Sequence, residues 1–247
     1  MKLLADIGNS QIKIAETTNQ KLLNIRSFPI EDFERFSKYV NTTYSNKNPS
    51  LFFSSVLGDK FNKKFRKIFE DLYIKATQFK SSKSLLTVKN CYNQPQKLGS
   101  DRWAQIVAAH KILKSNTMIV SCGSVISIDY VTRTGCHKGG LLLSGAEKYS
   151  NCFLDIHNLK SVKLTNNKKK SSCILQPNTA KQISMGYRIM ISSSITETYS
   201  SLCQTGKPKP KLLITGSYSK NISEDLKIKC LVEPYFVLKS LAIIQDQ

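Results

Sequence analysis

Leu3-Leu4-Ala5-Asp6-Ile7-Gly8-Asn9-Ser10, near the start of the chain, lays over Met118-Ile119-Val120-Ser121-Cys122-Gly123-Ser124-Val125, near its middle. In each, an apolar run enters an Asp or Ser position, then x-Gly and a small polar turn. Apolar alternation resumes after each turn, at Ile12 and Ile14 in one half and across Val125–Val131 in the other. Both read as strand, tight turn, strand. A repeated motif heading two α/β halves predicts a duplicated fold with a cleft between the halves. A chance match of such short patterns is the alternative. Lys114-Ser115-Asn116 marks the border, giving domains 1–115 and 116–247, with the last helix expected to pack back on the first.

Working outward, Lys21–Phe28 reads as a third strand and Leu51–Val56 as a buried one. Ile30–Val40 reads as a helix with Phe33, Phe36 and Val40 on one side. Phe61, Phe65, Ile68, Phe69 and Leu72 fall at helical spacing with lysines opposite. Leu85–Val88 reads as one short strand. A helix from about Ser100, capped by the Ser100 hydroxyl, lays Trp103, Ile106, Val107, His110 and Leu113 on its inner face. In the second half, strands are expected at Met118–Ser121, Val125–Val131, Gly139–Leu143 and Leu212–Thr215. Helices are expected within 144–160, at Ala180–Leu202 and at Pro234–Ile244. Asn166–Ser172 is a polar basic loop.

Composition narrows the class. The 247 residues fit one large or two small domains at ~100–200 residues each. An apolar fraction of 40% is too high for a disordered chain. No apolar run approaches the roughly 20 residues of a membrane-spanning helix. Asp6 interrupts the first apolar run too early for a secretory signal. A soluble, cytoplasmic protein is expected. The net charge of +20 attracts anions, but the lysines are scattered. Lys60, Lys63, Lys64, Arg66 and Lys67 form the polar face of a helix, and Lys168–Lys170 sit in a loop. Neither run has the interleaved aromatics of a single-strand platform, so no nucleic-acid partner is expected. The seven cysteines include no C-x-x-C pair and, with three histidines, no zinc spacing. His110 and Cys122 read as ordinary packing residues, and Trp103 as core or interface filler.

The turns carry the chemistry. A turn with open backbone N–H groups can cradle phosphate oxygens, and a nearby Asp can hold Mg²⁺ through water. Lys13 can supply positive charge to a phosphoryl group. An ordinary hairpin turn explains Asp6-x-Gly8-Asn9-Ser10 equally well. Gly99-Ser100-Asp101-Arg102-Trp103 places an acid and a base in the first turn of a helix. The helix dipole favours an ionised Asp101 there, either as plain helix-start charge or as a general base.

Asp6-x-Gly8-Asn9-Ser10-x-x-Lys13, then Tyr92-x-x-Pro95-x-x-Leu98-Gly99-x-Asp101-Arg102-Trp103-Ala104, resemble the type III pantothenate kinases, which include the Bvg accessory factor proteins. Gly123 with Asp129, Gly139-Gly140, Asn178-Thr179, Gly186 and Thr215-Gly216 follow in order, so the resemblance spans roughly residues 3–217. It implies two ribonuclease-H-like α/β domains of the actin-like ATPase superfamily with a nucleotide cleft, assembled as a homodimer. It implies transfer of the ATP γ-phosphoryl group to the terminal hydroxyl of pantothenate, the first step towards coenzyme A. By the same resemblance, Asp101 is the base. Asp6 organises Mg²⁺ through water, and Gly8, Asn9, Ser10, Lys13, Gly123, Ser124 and Gly216 serve ATP. Tyr92, Gly99, Ser100, Arg102 and Thr179 serve pantothenate, Thr179 from the partner subunit. Asp129 is the monovalent-cation ligand, for K⁺ or NH₄⁺.

Two positions depart from the family pattern. Its second phosphate motif reads D-x-G-T-A-x-T-x-D, and here Ser121 stands at the leading Asp. A serine brings no negative charge to a metal shell. Gly216-Ser217 replaces a Gly pair at the adenosine motif. An active kinase is one expectation; a degenerate member acting as a binding or regulatory accessory protein is the other.

Overall fold

A computed structural model describes residues 2–153, 156, 173–205 and 208–246. The Lys168–Lys170 run and the Asn166–Ser172 loop lie outside the described residues. So do residues 154, 155 and 157–160 of the expected 144–160 helix.

The chain opens with strands β1 (Lys2–Ile7), β2 (Gln11–Thr18) and β3 (Lys21–Pro29), then α1 (Phe33–Tyr44), β4 (Ser50–Ser55), α2 (Asp59–Glu70) and β5 (Ala76–Phe79). Two-residue strands β6 (Ser84–Leu85) and β7 (Val88–Lys89) precede α3 (Ser100–Leu113). The second run is β8 (Thr117–Cys122), β9 (Val125–Val131), β10 (His137–Ser144), α4 (Ala146–Asn151), α5 (Thr179–Thr205), β11 (Lys211–Thr215), α6 (Ser219–Asp225), β12 (Cys230–Val232) and α7 (Phe236–Gln245). The two five-stranded sheets run β3-β2-β1-β4-β5 and β10-β9-β8-β11-β12, the same order twice. Among the described residues, no helix is long and apolar enough to cross a membrane.

Three local expectations change. Leu85–Val88 is a tight hairpin, β6 turning into β7 through Leu86-Thr87, because only two residues on each side pair. Gly99, not Ser100, occupies the cap position of α3, and its cap makes no side-chain hydrogen bond. β5, α6 and β12 are further elements; β5 is four residues and β12 three, too short for a clear period.

The chain divides into two compact units. One holds Met1–Lys114, Val131–Gly139 and Tyr235–Gln247; the other holds Ser115–Tyr130 and Gly140–Pro234. In the first, alternation along β1 sorts its side chains. Leu3, Ala5 and Ile7 join Phe36, Phe65 and Phe69 from α1 and α2 in one core. The rings of Phe36 and Phe65 stack at 5.5 Å. Leu4 and Asp6 therefore point to the opposite face, the side on which α3 and α7 pack. Trp103 of α3 is fully buried. In the second unit, Met118, Val120 and Cys122 of β8 pack with Ile191 and Ile195 of α5. Ser121, one residue out of phase, faces away from that core.

Candidate functional site

In the first unit the site grows from the β1–β2 hairpin. Gly8 N–H donates to the Gln11 carbonyl at 3.0 Å, closing the turn. Asn9 and Ser10 at its tip are exposed. The antiparallel register sets Asp6 opposite Lys13, so both side chains share one face. β4 lies parallel on the other side of β1, with Ser54 beside Asp6.

The first turn of α3 arrives on that face, and Ser100 fixes it. Its hydroxyl donates to the Ser55 carbonyl at 3.0 Å. With that proton committed, the 2.8 Å contact to Ser54 Oγ is a bond that Ser54 donates. Ser100 is buried, so its hydroxyl ties the helix start to the end of β4. Asp101 then stands close enough for its charge to act on Asp6. Burial first, and Asp101 second, push the Asp6 carboxyl up to about 7, against the opposing pull of Lys13. A Cβ at Gly99 would lie 2.6 Å from Asp101 Oδ1, so a side chain there would displace that carboxylate.

Arg102 extends the site towards the 90–95 loop, where its Nη1 donates to the Tyr92 hydroxyl at 3.3 Å. The sequence reading missed what holds Tyr92 in place. Asn90 Oδ1 accepts from Tyr92 N–H at 3.0 Å, and the buried His137 ring lies parallel to Tyr92 at 6.2 Å. His137 Nδ1 also meets Cys91 Sγ at 3.4 Å. No local pattern points to His137, which reaches Tyr92 across 45 residues of chain.

In the second unit, three close backbone approaches shape the ends of the strands. A Cβ at Gly216, where φ is +95°, would lie 2.3 Å from the Cys122 carbonyl oxygen. A Cβ at Gly145 would lie 2.4 Å from the Gly123 carbonyl oxygen and 2.5 Å from that of Ser124. The Gly123-Ser124 turn, the start of α4 and the turn after β11 are thus packed backbone to backbone. Burial pushes the Cys122 thiol up to about 12, which keeps it an unreactive packing group. Asp129 on β9 is buried, and a Cβ at Gly140 would lie 2.8 Å from its Oδ1. Thr179 opens α5 exposed to solvent, just after Asn178, whose Oδ1 accepts from Lys181 N–H. Ser121 pairs with Thr215 across β8 and β11.

No group of three or more His, Cys, Asp or Glu side chains gathers as a metal site among the described residues. Mg²⁺ does not require such a group. That hard cation commonly takes one or two carboxylates and fills its shell with water and substrate phosphates.

A family model described as type III pantothenate kinase matches residues 2–201. The type III pantothenate kinase of Sulfurihydrogenibium sp. (strain YO3AOP1) is 25% identical over 252 aligned positions, covering 98% of each chain. A solved structure described as a conserved Baf family transcriptional activator from Campylobacter jejuni matches with a TM-score of 0.66 at 20% identity, over 99% of this chain and 97% of that one. A structure described as a 2-dehydro-3-deoxygalactonokinase protein from Sinorhizobium meliloti matches with a TM-score of 0.63 at 9% identity, over 99% and 96%. These two structures speak for the fold, the actin-like ATPase arrangement already visible in the repeated strand order. With the family match covering most of its length, this chain belongs to the type III pantothenate kinase family.

Proposed function

We propose that this protein transfers the γ-phosphoryl group of ATP to the terminal hydroxyl of pantothenate, with Asp101 as the general base. The observation that carries this reading is the meeting of Asp6, Lys13 and Asp101 on one face of the first unit. Phosphoryl transfer asks for positioning and charge neutralisation more than covalent chemistry; Lys13 brings positive charge, Asp101 a base and Asp6 an anchor for a cation. Asp101 accepts the hydroxyl proton as the hydroxyl oxygen attacks the γ-phosphorus. The bond from that phosphorus to the β,γ-bridging oxygen breaks, and ADP leaves. Lys13 and the Gly8-Asn9-Ser10 turn hold phosphate oxygens. Asp6 would hold Mg²⁺ through water, and the ion would offset phosphate charge. Arg102 and Tyr92, already hydrogen-bonded, orient pantothenate beside Asp101. Gly99 leaves room for that carboxylate, and Ser100 fixes the height of the helix start.

In the second unit, Gly123, Ser124 and Gly216 serve the nucleotide, and Asp129 gives a monovalent cation an anionic ligand. Thr179 completes the pantothenate site of a partner subunit in a homodimer. Ser121 favours a second reading, in which the chain binds its ligands without turning them over. A serine there leaves Asp6 to carry the metal shell almost alone. Loss of one transition-state electrostatic group commonly costs ~10²–10³-fold in rate.

The test is ADP release with ATP, Mg²⁺ and K⁺, with and without pantothenate, beside an Asp101→Ala variant. Turnover that needs pantothenate and vanishes in the variant supports the kinase. Pantothenate binding by calorimetry without turnover supports the second reading. Replacing K⁺ by choline tests the role of Asp129, and sedimentation tests the dimer.

A further inference from the structure

The far end of α3 builds a hollow that the kinase reading does not use. It encloses about 540 Å³, within the size range of small-molecule sites. At ~1.5 Å per residue, nine helical residues set His110 roughly 14 Å along the axis from Asp101.

His110 holds its walls together, as a half-buried wall residue and not the core residue its apolar helix face predicts. Nε2 meets the Arg133 carbonyl at 3.1 Å, and a carbonyl only accepts, so the ring proton sits there. Nδ1 is then the acceptor for the Thr87 hydroxyl at 3.4 Å. One ring thus joins α3, the β6–β7 turn and the β9–β10 turn. Gly135 locks those turns against each other. Its φ is +80°, and a Cβ there would lie 2.2 Å from the Thr87 carbonyl oxygen. Lys89 N–H donates to the Gly135 carbonyl at 2.8 Å.

The lining has two characters. Leu86 brings apolar surface, whereas Lys111, Lys114 and Arg133 bring three positive charges; Val107 on the same lining is fully buried. The charges of Asp246 and Lys111 act on each other, and the 2.8 Å ion pair of Asp246 is with Lys2. Leu86 is the odd residue. It stands at φ +52° and 44% exposed, in a turn position that asparagine or glycine fills with less strain. A strained, exposed leucine on a cavity wall gives up turn stability and presents apolar surface to the hollow.

We propose that this hollow binds a small organic anion with an apolar body, its carbon skeleton against Leu86 and its charged group towards Lys111, Lys114 and Arg133. Rigid walls held by Gly135 and His110 reduce the ordering cost of binding. The bland account, lysines offsetting the helix C-terminal dipole, explains neither Leu86 nor the cavity.

The probe is 8-anilinonaphthalene-1-sulfonate, with the uncharged N-phenyl-1-naphthylamine as its control. The native protein is expected to bind the anion saturably, with at least tenfold preference over the neutral dye. Lys111→Gln with Lys114→Gln should weaken the anion at least tenfold and leave the neutral dye unchanged. Leu86→Asn should weaken both dyes while raising the urea midpoint, a pairing that loss of packing alone would not give. Competition by octanoate or by phenyl phosphate identifies a carboxylate or a phosphoryl head group. The proposal is overturned if both dyes bind equally, if the variants leave binding unchanged, if neither competitor acts, or if ATP or pantothenate displaces the dye. It is also overturned if the lysine variants change the oligomeric state, which would make the hollow a contact between copies. The measurement needs no turnover, so it stands apart from the kinase reading.

Discussion

Asp6 is predicted to be a destabilising residue kept for its charge, and Asp6→Asn tests this directly. Burial, aided by Asp101, raises the carboxyl from its ordinary 3.8 to about 7. Between those values the folded protein retains a proton that the unfolded chain has released. Stability therefore falls as pH rises through this window, and the full cost is present above pH 7. The cost approaches about 4 kcal/mol at pH 8 and about 2 kcal/mol at pH 5. Asn has nearly the shape of a protonated Asp and no charge to bury. Asp6→Asn should thus be more stable than the native protein at pH 8, by an amount that shrinks towards pH 5. Trp103, the single tryptophan, is fully buried in the unit that contains Asp6. Urea titrations followed by its emission therefore report on the right part of the molecule. Mg²⁺ with ATP should stabilise the native protein and not the variant, and turnover should be lost. A variant no more stable at pH 8, or a gap that does not narrow by pH 5, would refute the reasoning.

Gly99→Ala brings a methyl group into the space of Asp101 Oδ1, so kcat should drop about 10–100-fold while the urea midpoint barely moves, since the helix start itself is unstrained. Ser100→Ala removes the bond to the Ser55 carbonyl and leaves two buried partners short; a loss of about 1–3 kcal/mol is expected from denaturation. Ser121→Asp restores the charge that the family carries at that strand end. It should raise kcat/KM for Mg²⁺–ATP by about tenfold or more, and an unchanged value would show that Asp6 suffices.

Much of the site was legible in the sequence because its parts are local. A strand, a glycine turn and a returning strand are written in consecutive residues, so Asp6, Gly8 and Lys13 could be placed on one hairpin. The helix beginning near Ser100 was legible from its apolar spacing. The family's ordered motifs suggested roles for residues far apart in the chain, and the family match bears out the resemblance itself. The repeated strand order was legible only in outline, since β5 and β12 are too short to show a period.

Alternation along a strand fixes that Asp6 turns away from the Leu3, Ala5 and Ile7 side, and that much is set by the sequence. Which helix covers that face is a matter of tertiary packing. It brings Asp101 to Asp6 across 95 residues, and with it the carboxyl shift that defines the site's electrostatics. The same packing commits the Ser100 hydroxyl to β4, a partner that no spacing along the chain encodes. It also puts His137 behind Tyr92 and joins His110 to two distant turns. Periodicity records which way a side chain faces, because that depends on its neighbours in the chain. What it meets there depends on chain closure over tens of residues, which only the folded structure decides.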